Sequence, residues 1–598
     1  MRNKSKHVNH KATIKKELKV VKSGYSKFIL PAILLLTVVA FSPSIHNGFS
    51  NWDDNKYILD NPYIRNLSWQ NIKTIFTTEY FNLYIPVTTF SWAMQYFFFG
   101  LNPKSFHAID LLFHLLNTGL VFYFIKSISN RIGVATIVAV FFGIHPMHVE
   151  SVAWIAERKD VLYAFFYLAA LISYVKYIDY RFKKYSIYYS TQFYFITLLF
   201  FVFSLLSKPT AISLPVLFFA IDYYFDRKLV SYKTVFEKIP FFILSAIVGI
   251  AIIFSSDKAQ LHAPHYSAFD RVFLPTYSFA FYVIKAFLPF QLSAFYAYPV
   301  FKENNSILPT IYYFSPLIIL LPTALIYNAG KYKRDIVFGL SFFTITIFMF
   351  LQVVLAGAAI VADRYTYIPY IGLFFIIGTI IEDKLVDSNS RVSSWYKIWL
   401  IGSLTVVILF FSAITFNRNK IWENGITVFS DMLENNSTLS FAYNSRGLAK
   451  DEFKDTNGAI VDFTNAILYD NKNASAYINR ANARVKMNDI NGAMADYNKA
   501  IELNPVGDNI AFNNRGRAKA GLGDYQGALV DFNQAIFLEP NYADAYNNRG
   551  NIKAIMNDNL GAMKDYETAI KLNPDYSDAV INLNSIKNEM GSKNIGNK

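Results

Sequence analysis

Apolar runs of about 18 to 20 residues, the length a membrane-crossing helix requires, recur through the first two thirds of the chain. They fall near 28–45, 108–125, 132–146, 160–178, 191–206 and 209–225, then near 238–255, 272–290, 309–328, 336–355, 364–382 and 397–416. Short loops rich in Lys and Arg face the cytoplasm. With the N-terminus inside, the loops holding Lys126 and Arg131, Lys176 to Lys184, and Arg227 to Lys238 fall inside as well. Lys331, Lys333 and Arg334 also require the inside, which two full crossings between Asp257 and Lys331 forbid. The weakest crossing is 272–290, interrupted by Pro275, Lys285 and Pro289. An ionisable residue at mid-membrane costs about 2.5–3.5 kcal/mol on insertion scales. That segment reads as re-entrant or interfacial, which leaves about eleven spans and puts everything after Phe416 outside.

From about Leu439 the period changes. Gly458-Ala459, Gly492-Ala493, Gly527-Ala528 and Gly561-Ala562 recur every 34, 35 and 34 residues, and Arg446, Arg480, Arg515 and Arg549 keep the same spacing. An aromatic precedes each Arg (Tyr443, Tyr477, Phe512, Tyr546), and Asn504-Pro505, Glu539-Pro540 and Asn573-Pro574 close three of the units. A 34-residue helix–turn–helix period is the signature of tetratricopeptide (TPR) repeats. The residue before each Arg is Ser445, Asn479, Asn514 or Asn548, at a position that faces the concave surface in TPR arrays. Amides there can hydrogen-bond an extended peptide backbone without reading side chains, or can satisfy neighbouring helix ends.

The expected organisation is all-α. A basic cytoplasmic tail (1–27) precedes a polytopic membrane bundle (28–416) with a large outer loop at 46–107. A linker helix (417–438) then leads to four repeats (439–576) and a capping helix with a tail (577–598). Composition agrees: 53% of the 598 residues are hydrophobic and 17% aromatic, although the last third is polar. Nine Lys or Arg lie between Arg2 and Lys27, with Glu17 the lone acid. Such a tail anchors on anionic lipid rather than on nucleic acid. The first apolar helix lacks a small-residue cleavage site and reads as a retained anchor. The absence of cysteine excludes disulfides, iron–sulfur clusters and thiol catalysis.

On this topology the chemistry gathers at the outer face. The first outer loop carries Asn51-Trp52-Asp53-Asp54, Asn61-Pro62 and Trp69. The next reads His145-Pro146-Met147-His148-Val149-Glu150, then Glu157-Arg158-Lys159-Asp160. Ser207-Lys208-Pro209 follows, then His262 and His265, then Ala362-Asp363-Arg364-Tyr365. A carboxylate base with phosphate-binding Lys and Arg suits transfer from an anionic lipid-borne donor. Singly, each has a plainer reading. Asp53-Asp54 could be a helix cap, Pro146 could start a helix with the histidines at the membrane surface, and Lys208 and Arg364 could snorkel to headgroups. Zinc at His145, His148 and Glu150 is disfavoured by the intervening Pro and the lack of a further ligand.

These motifs resemble bacterial relatives of the transmembrane and TPR repeat-containing protein O-mannosyltransferases, which have a GT-C glycosyltransferase fold. The likeness is carried by Asp53-Asp54 with Asn61-Pro62, Gly100-Leu101-Asn102-Pro103 leading to His107, and His114-Leu115-Leu116-Asn117. It continues through His145-Pro146 to Asp160, Lys208-Pro209 and Ala362 to Tyr365. The resemblance implies a polyprenyl-phosphate sugar donor, mannose as the sugar, a Ser or Thr hydroxyl on an acceptor polypeptide, and inversion at the anomeric carbon. It gives Asp53 or Asp54 the role of base. Arg364, Lys208 and Arg158, with Asp363 and Tyr365, would bind the donor phosphate, and His145, His148, Glu150, Glu157 and Asp160 would orient sugar or base. Asn479, Asn514, Asn548 and Ser445 would hold the acceptor. The sequence requires no cofactor and specifies no metal site, and GT-C enzymes differ in metal dependence. Tyr84-Ile85-Pro86 departs from relatives that often have an arginine before the proline. A bacterial cytoplasmic membrane with the repeats outside is the expected setting. A non-enzymatic, membrane-anchored TPR scaffold is the competing reading. A flippase, third in order, would want ionisable residues at mid-membrane rather than at its edge.

Overall fold

The computed structural model describes residues 26–81, 83–182, 187–256, 266–299, 308–353, 357–386 and 394–596. Residues 1–25 of the basic tail, His262 and His265 lie outside them. The chain divides into two compact units, Met1–Val428 and Phe429–Lys598.

In the first unit every expected apolar run is helical, though not all at full length. Among the described residues seven helices are long and apolar enough to cross a membrane by themselves: Lys27–His46, Pro103–Ser129, Ile155–Arg181, Ile187–Ser207, Tyr232–Ala251, Thr310–Tyr327 and Ser394–Glu423. An eighth is added if Ile132–Ile144 and Pro146–Ala153, bent by 55°, are taken as one span. The remaining runs form shorter helices, Leu214–Tyr224, Lys333–Ile347 and Tyr370–Val386. The count of eleven therefore mixes full-length helices with short ones buried among neighbours. Gly339 shows how two of these meet. A Cβ built there would lie 2.5 Å from the Gly372 carbonyl, so the Lys333–Ile347 and Tyr370–Val386 helices cross backbone to backbone.

The Ala268–Lys285 helix, at the run read as re-entrant, is not among the seven. Beyond it, Lys331 pairs with Asp383 at 2.8 Å and Arg131 reaches the same carboxylate at 2.6 Å. Lys331 and Arg131 thus share one end of the bundle. Arg227 and Lys238 lie in another charged group, on Asp222 at 2.6 and 2.5 Å.

At the opposite end, helices stop and start at sharp turns. Asn102 caps Pro103–Ser129 by accepting from Lys104 N, with Pro103 at the first helical position. Ile132–Ile144 halts at His145-Pro146, and a short Val149–Ala153 helix and the turn at Trp154 lead into Arg158–Phe182. A two-stranded antiparallel ribbon, Tyr296–Ala297 with Ala359–Val361, is the exception to the all-α expectation.

The second unit contains four helix pairs: Ser440–Glu452 with Thr456–Tyr469, Ala474–Lys486 with Ile490–Leu503, Asn509–Gly521 with Tyr525–Leu538, and Ala543–Ile555 with Asn559–Leu572. Ser577–Gly596 follows them. The repeated Gly-Ala has a local cause. Asp455, Asp489, Asp524 and Asp558 each cap a second helix by accepting, at 2.9 Å, from the amide of the glycine three residues on. A Cβ on those glycines would fall 2.1 Å from the other oxygen, Oδ2, of the capping carboxylate. The repeated Arg clamps the second helix. Arg446, Arg480, Arg515 and Arg549 bind Asp462, Asp496, Asp531 and Asp565 through two nitrogens at 2.6–2.9 Å.

Candidate active site

The turn after the first helix brings Asp53 and Asp54 to the end of the bundle where Pro103–Ser129 begins. Adjacent in sequence, the two carboxylates differ in circumstance. Asp54 is buried: Oδ2 accepts from the amide and hydroxyl of Ser50 at 2.8 and 2.9 Å, and Oδ1 from the Ala156 amide at 2.9 Å. Burial outweighs these three donors and pushes its pKa up to about 7. Asp54 therefore ties the first loop to the turn before Arg158. Asp53 is half-buried, and no hydrogen bond or ion pair engages its carboxylate among the described residues. Its charge acts on Asp54, Tyr57 and Lys159.

Beside these aspartates three cations surround Glu157. Lys159 Nζ lies 3.1 Å, Arg364 Nε 3.4 Å and Lys208 Nζ 3.7 Å from its carboxylate. Each cation has a second anchor. Arg364 pairs with Glu150, which also accepts the Arg364 amide at 2.9 Å. Lys208 pairs with Asp160, whose other oxygen accepts from Ser151 at 3.1 Å. Lys159 lies 5.4 Å over the Tyr57 ring. Asp363 is held behind Arg364 by the Tyr296 hydroxyl at 2.8 Å, so the ribbon supports the Ala362–Tyr365 turn. Tyr365 stacks on Phe350 at 4.2 Å. Trp52 stacks on Trp154 at 4.5 Å and Trp154 on Trp422 at 5.0 Å, with the Arg364 guanidinium 5.6 Å from the Trp154 ring.

Thus Asp53, Asp54, Glu150, Glu157, Asp160, Lys208, Asp363, Arg364 and Tyr365 come together. Three expected residues do not join them. Arg158, expected at the donor phosphate, is fully buried. It bonds Asp110 at 2.5 Å and the Phe106 carbonyl at 3.0 Å, so it braces Pro103–Ser129 against Arg158–Phe182. Its neighbour Lys159, which the sequence reading passed over, holds the place by the site. The one-residue difference is a rotation of about 100° at the start of a helix. His145 and His148 are wholly buried rather than at the membrane surface. They lie among Tyr367, Tyr370, Phe374 and Phe411, with ring nitrogens on the Ala286 and Phe142 carbonyls. They shape the turn that delivers Glu150. Tyr84, at the departure from the relatives' pattern, is exposed and donates to the Phe76 carbonyl at 2.8 Å. No group of three or more His, Cys, Asp or Glu able to hold a metal ion forms among the described residues.

In the second unit the expected amides form a ladder between successive first helices. Asn479 donates to Asn444 at 3.0 Å, Asn514 to Asn482 at 3.0 Å and Asn548 to Asn513 at 2.9 Å. Ser445 stands half-buried at the corresponding place in the first repeat. Asn514 and Asn548 line a groove of about 500 Å³.

Family models described as TPR repeat or tetratricopeptide repeat match residues 474–505, 516–555 and 543–576. The chain carries tetratricopeptide repeats. Among curated proteins, human protein O-mannosyl-transferase TMTC1 is 32% identical over 141 residues, 21% of this chain and 16% of that protein. Mouse protein O-mannosyl-transferase TMTC2 is 37% identical over 99 residues, 16% of this chain and 12% of its own length. The longest of these matches, to human protein O-mannosyl-transferase TMTC3, is 22% identical over 465 residues, 71% of this chain and 49% of that protein. Over these stretches the chain is similar to protein O-mannosyl-transferases. It spans between about a tenth and a half of the length of these homologues. Among solved structures, YrrB, a TPR protein with an unusual peptide-binding site, is 22% identical, with 34% of this chain and 95% of that one covered at a TM-score of 0.23. The first TPR of RPAP3, bound to an HSP90 peptide, is 26% identical and covers 20% of this chain and 93% of its own, at a TM-score of 0.19.

Proposed function

We propose that the chain is a membrane glycosyltransferase of GT-C type. It moves a sugar, mannose by homology, from a polyprenyl-phosphate donor to Ser or Thr hydroxyls of proteins. The observation that carries the reading is Asp53, a carboxylate with no hydrogen bond or ion pair among the described residues, beside a cluster of three cations at one end of an apolar bundle. Arg364, Lys208 and Lys159 hold the donor phosphate, and Glu150, Glu157 and Asp160 fix those cations in place. Asp53 takes the proton of the acceptor hydroxyl as its oxygen attacks the anomeric carbon. The bond from that carbon to the phosphate oxygen breaks on the opposite side, the lipid phosphate leaves with the electron pair, and configuration inverts. Cations set where charge accumulates on the leaving group lower the barrier without reorganising. The repeats bind the acceptor polypeptide. The N-terminus lies in the cytoplasm, and the site and repeats lie outside a bacterial cytoplasmic membrane.

Incubating purified protein with labelled polyprenyl-phosphate mannose and a mixed Ser/Thr peptide pool tests this. A positioned base contributes roughly 10² to 10⁴ in rate, so Asp53→Asn should abolish labelling while leaving the unfolding temperature unchanged. Asp54→Asn should instead destabilise the first loop, because an amide nitrogen cannot accept from Ser50. Full labelling by Asp53→Asn would remove the mechanism. Loss of labelling from every lipid-linked sugar, with the function of a null strain restored by the repeats on an unrelated anchor, would establish the scaffold reading instead.

A further inference from the structure

The ion pairs of the second unit leave one groove unbalanced. In every repeat the clamping arginine has its aspartate, and Lys450, Lys519 and Lys553 add a second cation to three of those aspartates at 2.8–2.9 Å. Arg517, two residues after the clamping Arg515, is different. It is exposed, makes no ion pair among the described residues, and stands where the other repeats have Leu448, Asn482 and Asn551. It lines the groove of about 500 Å³ together with Asp544 and Asp578, which also have no cationic partner among the described residues. The rest of the lining is mostly amide, with Asn514, Asn548 and Asn582 among it. One cation and two carboxylates share a cavity without neutralising one another. The amide ladder uses Asn548 as a donor to Asn513 and Asn582 as a donor to Asn547 and Asn551.

We propose that this groove binds an extended polypeptide segment that sets an acidic side chain on Arg517 and a basic side chain on Asp544 and Asp578. Resting on the reading of the repeats as acceptor-binding, this names the acceptor class: a Ser/Thr-bearing segment flanked by charges of opposite sign in a fixed order. The amides recognise its backbone, which accounts for affinity without sequence. The separated charges supply direction, since reversing the segment brings acid to acid and base to Arg517. Arg517 is on the first helix of the third repeat, Asp544 on that of the fourth, and Asp578 on the helix after it. The segment therefore runs along the repeats rather than across one of them.

The test is fluorescence anisotropy with the full-length protein in detergent and no sugar donor. Three 12-residue Ser/Thr peptides are compared: one with a Glu before a Lys, its reversed-order isomer, and a counterpart with Gln at both places. One of the two charged orders should bind on the order of tenfold tighter than the Gln peptide, as charge-assisted hydrogen bonds allow, and the other order should bind more weakly than it. Arg517→Glu should cancel the advantage of the favoured order while leaving the unfolding temperature unchanged, and the Asp544→Asn/Asp578→Asn double variant should remove the contribution of the Lys. Equal affinities for the three peptides, or an order preference that survives Arg517→Glu, would overturn the proposal. Because binding is read without a donor, failure of sugar transfer alongside an intact order preference would count against the transferase reading alone.

Discussion

Arg158 and Lys159 are neighbours with the same formal charge, and helix register gives them different work. Removing one partner of a fully buried pair leaves the other charge uncompensated and costs about 3–5 kcal/mol. Arg158→Ala should therefore lower the unfolding temperature sharply, with Asp110 left alone beside it. Lys159→Ala leaves Glu157 with Lys208 and Arg364, so it should cost less stability than Arg158→Ala and raise the KM for the lipid-linked donor, read by steady-state transfer. Asp54 supplies a pH signature. Its folded pKa of about 7 lies above the ordinary value of 3.8, so the folded loop holds the proton more tightly than the unfolded chain does. Stability of the loop is full below about pH 4 and declines as pH rises toward 7. Hydrogen exchange at Ser50 to Ile58, corrected for intrinsic rates, should show more frequent opening across that window, and Asp54→Asn should flatten the dependence.

Among elements, the repeats were the most legible part of the sequence because each signature residue has a local partner at fixed separation. The glycine after each capping aspartate predicts its own mutant. Gly527→Ala would drive a Cβ into the Asp524 carboxylate and should cost about 1 kcal/mol, the worth of a helix cap, measurable by urea unfolding of the repeats. The clamping arginines could be seen in the sequence, whereas the aspartates sixteen residues on were not singled out. In the membrane unit the apolar runs fixed where helices form, but length alone did not separate a full span from a short helix wedged among neighbours. The Tyr296–Ala297 ribbon escaped notice because two strands of two and three residues leave no periodicity to find. Most of the charged residues that the structure gathers at the candidate site could be picked out because charge beside apolar helices is costly and so conspicuous. Which side of a helix each one faces could not, as Arg158, His145 and His148 show.

At the scale of the whole molecule, the two proposed binding steps take place in different dielectric surroundings. The cations at the donor site are nearly enclosed, with Lys208 9% exposed, whereas Arg517 in the repeats is open to solvent. At 0.1 M salt the screening length is about 10 Å, and it shortens as salt rises, acting on exposed charges far more than on enclosed ones. Raising ionic strength should therefore increase the KM for a charged acceptor peptide severalfold while the KM for the lipid-linked donor changes little. The stacked indoles of Trp52, Trp154 and Trp422 give the molecule a built-in optical reporter. Three of its seven tryptophans are close enough for their electronic transitions to couple, with a guanidinium of the proposed donor site over the middle ring. Any anion that draws Arg364 aside would alter that coupling, and the near-ultraviolet dichroism of the unlabelled protein would record donor binding directly.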